Sequence, residues 1–250
     1  MYTLNLMKNF LFCLFFFPAF MHFYCAEAVA DSSLRIVLDP GHGGSDLGAT
    51  RDSFIESKIV LTIAQKLKKF LEEKPGFQVY LTRENDQGIS LKERVKIANK
   101  IGADLFISLH ANTSTSSSLS GMEYYFNSPA RVPAAQNNDP PPALTNNEVL
   151  ATIKEDFNRY DKTEKSLRLS KSIQSLNLRR SESEKSVIKR APFFVIENTG
   201  MPSVLVELGF ISNRREAKKL VTPEYQNELV RLIGTAIVDY KEKSDKGLAL

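Results

Sequence analysis

The chain has 250 residues, of which 42% are hydrophobic and 25% charged. Those proportions suit one well-buried globular domain and exclude a low-complexity or fibrous polymer. The formal net charge of +4 is compatible with an anionic polymer as partner, but no Lys/Arg stripe with interleaved aromatics argues for nucleic acid.

The first thirty residues differ in kind from the rest. Lys8 is their only basic residue, an apolar run follows from Phe10 to Phe20, and small residues stand in A-x-A spacing at Ala26-Glu27-Ala28 and Ala28-Val29-Ala30. A basic start, a short apolar middle and a small-residue site predict a secretory signal peptide over 1–30, cleaved after Ala28 or Ala30. The run is short for a bilayer span, which needs about 20 apolar residues, so no stable membrane anchor is expected after cleavage. Cleavage removes Cys13, Cys25 and His22 and leaves His42 and His110. A domain spanning 31–250 would then have no thiol, and any metal in it must use imidazole and carboxylate.

Beyond residue 30, strand and helix patterns alternate. Arg35–Asp39 is a short apolar run ended by Pro40-Gly41, which reads as a buried strand. Ile59, Val60, Ile63, Ala64, Leu67, Phe70 and Leu71 recur at helical spacing until Pro75-Gly76. Phe77–Thr82 reads as a strand, Ser90–Lys100 as a helix with Ser90 and Glu93 in capping-box spacing, and Asp104–His110 and Gly121–Phe126 as strands. Residues 129–165 break the pattern, with Pro129, Pro133 and Pro140–Pro142 among Ala, Asn and Gln, followed by a helix over Asn146–Tyr160. Another helix is expected over Glu164–Leu176, then a Ser/Glu/Lys/Arg-rich stretch at 179–190, strands at Pro192–Ile196 and Ser203–Glu207, and an amphipathic helix over Tyr225–Tyr240. The expected fold class is α/β: a single three-layer domain whose mixed, mostly parallel sheet has helices on both faces.

Four polar residues fall where such a sheet makes sites. His42 follows the first strand in Asp39-Pro-Gly-His-Gly-Gly, His110 ends the strand Leu105-Phe-Ile-Ser-Leu-His, and Glu207 ends Val204-Leu-Val-Glu. Ligands gather outside the carboxyl ends of parallel strands, so these distant residues could meet there, and Glu56 at the start of the first helix could return to the same end. Two imidazoles and a carboxylate form a catalytic zinc set with a fourth position for water, toward which a second glutamate can act as base. Spacing also allows plainer roles. Ser53-x-x-Glu56 fits a capping box, and Gly41–Gly44 fits an anion-binding turn, although the Lys-Ser/Thr of a P-loop is absent.

The stretch Leu38-Asp-Pro-Gly-His-Gly-Gly-Ser-Asp-Leu-Gly-Ala49 resembles the opening motif of the zinc-dependent N-acetylmuramoyl-L-alanine amidases. Three further stretches match in order: Glu56 leading Leu61-Thr-Ile-Ala64, then Leu105 to Asn112, then Pro202 to Asn213. Leu81-Thr-Arg83 and Arg94…Ala98-Asn99 add to the resemblance, which covers nearly all of residues 34–240. It implies one Zn2+ held by His42, Glu56 and His110, with Glu207 as the catalytic carboxylate. It also implies hydrolysis of the amide between N-acetylmuramic acid and L-alanine in peptidoglycan, by a protein exported to the periplasm or cell envelope, in wall remodelling or daughter-cell separation.

Two stretches admit additional readings. In the division-type branch of the resembled family, a segment placed like 129–165 plugs the site until an activating protein displaces it. Here Glu148, Glu155 or Asp156 would reach the metal, or Asn146–Tyr160 is simply a solvated charged helix. Ser186-Val-Ile-Lys189 has the S-x-x-K spacing of penicillin-sensitive serine D-Ala-D-Ala carboxypeptidases, and Ser175-Leu-Asn177 resembles their S-x-N, but the K-T-G element is missing. A non-catalytic wall-binding module is the third alternative.

Overall fold

The computed structural model of the protein describes residues 33–127, 145–180 and 185–246. The expected signal segment and the prolines at 129–142 lie outside those residues. In chain order the elements are β1 (Leu34–Pro40), the short hairpin β2 (Thr50–Arg51) and β3 (Phe54–Ile55), α1 (Glu56–Glu72), β4 (Phe77–Leu81), α2 (Leu91–Ile101), β5 (Leu105–Asn112), β6 (Met122–Phe126), α3 (Asn146–Arg180), β7 (Ser186–Arg190), α4 (Phe194–Asn198), β8 (Ser203–Phe210), α5 (Arg214–Leu220) and α6 (Pro223–Asp245).

Six strands form one sheet in the order β4-β1-β5-β8-β6-β7. The first four run parallel, β6 is antiparallel to β8, and β7 runs parallel to β6. The period-2 alternation of strand side chains divides the core into two faces. Ile36, Leu38, Leu105, Ile107, Leu109, Val204 and Val206 pack with α1, α3 and α6, while Val37, Phe106 and Leu205 pack with α2 and α4. This is the expected three-layer α/β arrangement. Each fully buried Leu or Ile contributes roughly 1.5–3 kcal/mol relative to exposure.

Local sequence sets most of the boundaries. The Ser90 hydroxyl accepts the Glu93 amide at 3.2 Å and starts α2. The Thr222 hydroxyl accepts the Tyr225 amide at the start of α6, with Pro223 at its first position, where no amide donor is needed. The capping reading of Glu56 does not apply: Ile55 is the N-cap and makes no side-chain cap.

Three elements differ from the sequence expectation. Residues 146–180 form one 35-residue helix, not two, because nothing between Tyr160 and Glu164 breaks it and the Asp161–Lys165 and Glu164–Arg168 pairs span the join at i,i+4. The polar stretch 186–190 forms β7, an edge strand with charged exposed positions. Pro192–Ile196, expected as a strand, instead leads into α4, with Phe193 as its N-cap in extended conformation. The amino-terminal half of α3 is exposed. Glu148 there accepts from both the amide and the hydroxyl of Thr145, and Asp156 pairs with Arg159.

A polar core binds the carboxyl end of β1 to its neighbours. Arg83, 1% exposed, donates to the carbonyls of Pro40, Gly41, Ser57 and Asn85. Arg94, 3% exposed, donates to the carbonyls of Pro40 and His42 and to Asp39 at 2.6 Å. Arg83→Met keeps the volume but orphans several buried acceptors, so we expect a loss of about 3–5 kcal/mol in urea unfolding. A loss under about 1 kcal/mol would show that water or backbone adjustment replaces the guanidinium.

Candidate metal centre and catalytic cleft

The parallel register brings the predicted residues to one end of the sheet. Pro40 is paired with Leu109 and His110 with Glu207, so the loop after β1 and the carboxyl ends of β5 and β8 lie side by side. His42 sits in the left-handed region at φ 58°, an unusual conformation for a residue with a side chain. The Arg94 bond to its carbonyl, at 2.7 Å, holds it there.

His42, Glu56 and His110 present ligand atoms that all lie within 4.8 Å of one another, a group that could hold a metal ion. Glu56 Oε1 is 3.3 Å from His42 Nε2 and 3.0 Å from His110 Nδ1. The two rings meet edge to face, with centroids 5.0 Å apart. Glu56 is 4% exposed and is fixed by two backbone amides, Ala49 on Oε2 at 2.7 Å and Ala111 on Oε1 at 3.0 Å. The other nitrogen of His42, Nδ1, meets Asp46 at 2.8 Å, a carboxylate–imidazole contact of the kind that orients metal-binding histidines. The ring of His110 lies against Gly41, where an added Cβ would come within 2.3 Å of Cε1. Only glycine permits that approach.

Charge is shared tightly here. Burial alone would raise the Glu56 carboxyl, but hydrogen bonds from His110 and His42 overcome it and hold its pKa well below the usual range. The hydrogen bond with Glu56 lifts the His42 imidazole to about 9, against the opposing effect of burial.

Glu207 differs from Glu56. Its Oε2 is buried and has no hydrogen-bond partner among the described residues. Desolvation pushes its pKa up to about 7, with His110 pulling down and Glu56 and Glu123 pushing up. The neighbouring carboxylate Glu123, paired with Glu207 across β6 and β8, is by contrast saturated. It accepts from Lys189 at 2.6 Å, Tyr125 at 2.6 Å and Asn112 at 3.0 Å. Glu123, Tyr125, Lys189 and Asp46 were not singled out from sequence for this site. Only Asp46 carried a local signal, its i+4 spacing from His42.

A 240 Å³ cavity opens beside the triad, lined in part by His42, His110, Ile89, Leu91, Arg94 and Val195. The rival serine centre does not assemble. On β7 the Ser186 hydroxyl contacts Tyr124 on the α3 face, whereas Lys189 reaches Glu123 and Tyr125 on the opposite face. An i,i+3 pair shares a face on a helix, not on a strand.

A family model for N-acetylmuramoyl-L-alanine amidase matches residues 36–239. The N-acetylmuramoyl-L-alanine amidase AmiC of Escherichia coli O6:H1 is 32% identical over 226 residues, which cover 86% of this chain and 54% of that protein, so the chain spans about half the length of that relative. An N-acetylmuramoyl-L-alanine amidase from Clostridium difficile 630 superposes with a TM-score of 0.69 at 26% identity, covering 84% of this chain and 98% of that one. The CwlD amidase of Clostridioides difficile, solved in complex with the GerS lipoprotein, gives 0.66 at 27% identity, covering 84% and 99%. With a family model matched over residues 36–239, a mostly parallel sheet and a convergent His-Glu-His group, the chain belongs to the N-acetylmuramoyl-L-alanine amidase family of enzymes.

Proposed function

We propose that this chain is an exported, zinc-dependent amidase that hydrolyses the bond between N-acetylmuramic acid and L-alanine in peptidoglycan, during wall remodelling or daughter-cell separation. The observation that carries the reading is the pairing of a convergent His42–Glu56–His110 group with an unpartnered buried oxygen of Glu207. The donor set fits zinc: two imidazoles and one carboxylate, with no thiol, are three of its ordinary ligands and leave a position open. Asp46 and the amides of Ala49 and Ala111 fix those donors from behind. When bound, zinc supplies Lewis acidity toward the scissile carbonyl and the attacking water.

The chain's own residues supply the remainder. Glu207 takes the proton of the attacking water on its unpartnered oxygen and delivers it to the departing alanine nitrogen, so a carboxyl near neutrality suits both transfers. Glu123, which accepts hydrogen bonds from Lys189, Tyr125 and Asn112, is spent on structure and leaves that role to Glu207. The segment 1–30 directs export as a cleaved signal peptide. No described helix is long and apolar enough to cross a membrane.

Regulation through residues 129–165 by an activating protein is part of the same proposal. It is supported by the exposed apolar residues Leu150, Ile153, Phe157 and Tyr160 on α3 and by the solved complex of the related CwlD with a lipoprotein. Glu148 bonds to Thr145 and Asp156 pairs with Arg159, both close by in sequence.

Mass spectrometry of digested muropeptides should show free stem peptides that vanish with chelator and return with zinc. Glu207→Ala should keep zinc and lose about 10²–10⁴ in turnover, and near-wild-type turnover on zinc-loaded protein would remove Glu207 from the chemistry. Gly41→Ala should displace the His110 ring and weaken zinc about 10–100-fold in a chelator competition; unchanged affinity would mean the ring is not a ligand. Deleting 130–160 should raise turnover if this segment restrains the site, whereas a folded deletion protein with unchanged turnover would refute restraint.

A further inference from the structure

A 650 Å³ pocket lies among β2, the loop between β5 and β6, and α5, and its walls are strongly basic. Arg51, Arg214, Arg215 and Lys219 line it together with the hydroxyls of Ser117 and Ser118. Its one carboxylate, Glu216, is buried and committed: Oε1 accepts the Gly121 amide at 2.8 Å and Oε2 the Phe210 amide at 2.7 Å. Arg51 is anchored through the Ser212 carbonyl, and Lys219 lies over the Tyr225 ring. Arg214 and Arg215 are exposed and have no ion-pair partner among the described residues.

The walls continue directly from the elements that carry the site. Arg51 stands in β2, five residues before Glu56. The serine loop runs on from His110 through Ser114, whose amide donates to Ser212 Oγ at 3.0 Å. Arg214 opens α5, just past the end of the Glu207 strand. Arg51, which lines the pocket and precedes Glu56 by five residues, lies within at most about 18 Å of it by chain length. A stem peptide extends about 3.3–3.6 Å per residue, so a stem of about five residues spans that distance.

We infer that the pocket walled by Arg51, Arg214, Arg215 and Lys219 is a subsite for the free carboxylates of the peptidoglycan stem peptide, and that Arg214 and Arg215 set the preference for carboxylate over carboxamide stems. The inference rests on the amidase reading. The chemistry is that of guanidinium with carboxylate, whose paired, charge-assisted hydrogen bonds are stronger than those to a neutral amide. A stem seated there is held on the far side of the scissile bond from the glycan, which fixes its alanine nitrogen against Glu207. An enzyme that must act on one bond of a mostly uncharged glycan thereby gains a handle on the only anionic part of its substrate.

The test uses zinc-loaded protein and two soluble muropeptides, identical except that the stem carboxylates of one are amidated. Wild type should show a KM roughly 10-fold higher for the amidated substrate, the factor of one lost charge-assisted contact. The double variant Arg214→Gln/Arg215→Gln should lose the same factor on the carboxylate substrate and no further factor on the amidated one, as expected of partners in a double-mutant cycle. Lys218→Gln, exposed on the same helix and outside the pocket, controls for general charge and should behave as wild type on both. Equal wild-type KM on the two substrates would overturn the subsite, as would a double variant that loses equally on both. If neither wild type nor the folded 130–160 deletion protein cuts either substrate while retaining zinc, the amidase reading itself falls, and the subsite with it.

Discussion

Two buried guanidinium groups hold the backbone of Pro40, Gly41 and His42, and the site depends on that grip. Parallel strands end in a loop whose carbonyls no longer have strand partners, and burying such groups unpaired costs about 1–3 kcal/mol each. Arg83 and Arg94 supply the missing donors from β4's end and from α2. Asp39 balances Arg94 and also accepts the hydroxyls of Thr82 and Ser108, so four elements meet on one carboxylate. The grip also stabilises a left-handed His42, a conformation costing about 1–2 kcal/mol for an L-residue, and so aims its ring at Glu56. Metal-binding geometry is thus set by backbone acceptors as much as by the side chains that would touch the ion.

The antiparallel turn of the sheet at β6 separates the roles of two neighbouring carboxylates. Register places Glu123 opposite Glu207, a like-charge pair that would be unfavourable if both were equally solvated or equally bare. Lys189, Tyr125 and Asn112 converge on Glu123 and leave Glu207 with an unpartnered oxygen. Environment, not residue type, therefore separates the two glutamates: one is saturated with donors and the other keeps a buried oxygen without a partner among the described residues.

Much of this was legible in the sequence because it was local. Strand-end His42, His110 and Glu207 follow from short apolar runs ended by polar residues, and the Ser90 cap from its Glu93 spacing. Glu56 was ambiguous, since a helix-start glutamate with Ser53 three residues before it reads equally as a cap; only the fold shows its oxygens turned to Ala49 and Ala111. The Glu123–Lys189 pair was invisible, because it joins strands 66 residues apart in sequence. β7 was missed for a related reason: its polar residues have no strand pattern of their own, and it pairs because β6 offers an open edge. The strand expected at Pro192–Ile196 fails because apolar residues after a proline fit a short helix equally well, and packing of Val195 and Ile196 against β8 selects that helix.

The end of β8 shows how the same glutamate chemistry is used twice. Register slips by one residue between His110 and Asn112, where β8 carries an extra residue, and Gly209 takes a φ of 149°, a region essentially closed to residues with a side chain. Such a bulge frees amides from the ladder and bends the strand. Two of the amides at this point go to carboxylates: Ala111 to Glu56, inside the triad, and Phe210 to Glu216, beneath the basic pocket. Each carboxylate is thereby fixed in part by a backbone amide. At Glu56 this leaves the anion available to a metal. At Glu216 it anchors the start of α5, and so positions Arg214 and Arg215 over the pocket without neutralising them. One irregularity in one strand therefore separates a centre that favours a cation from a surface that favours an anion. A substrate whose reacting amide must face the first while its carboxylates face the second is bound in a single direction.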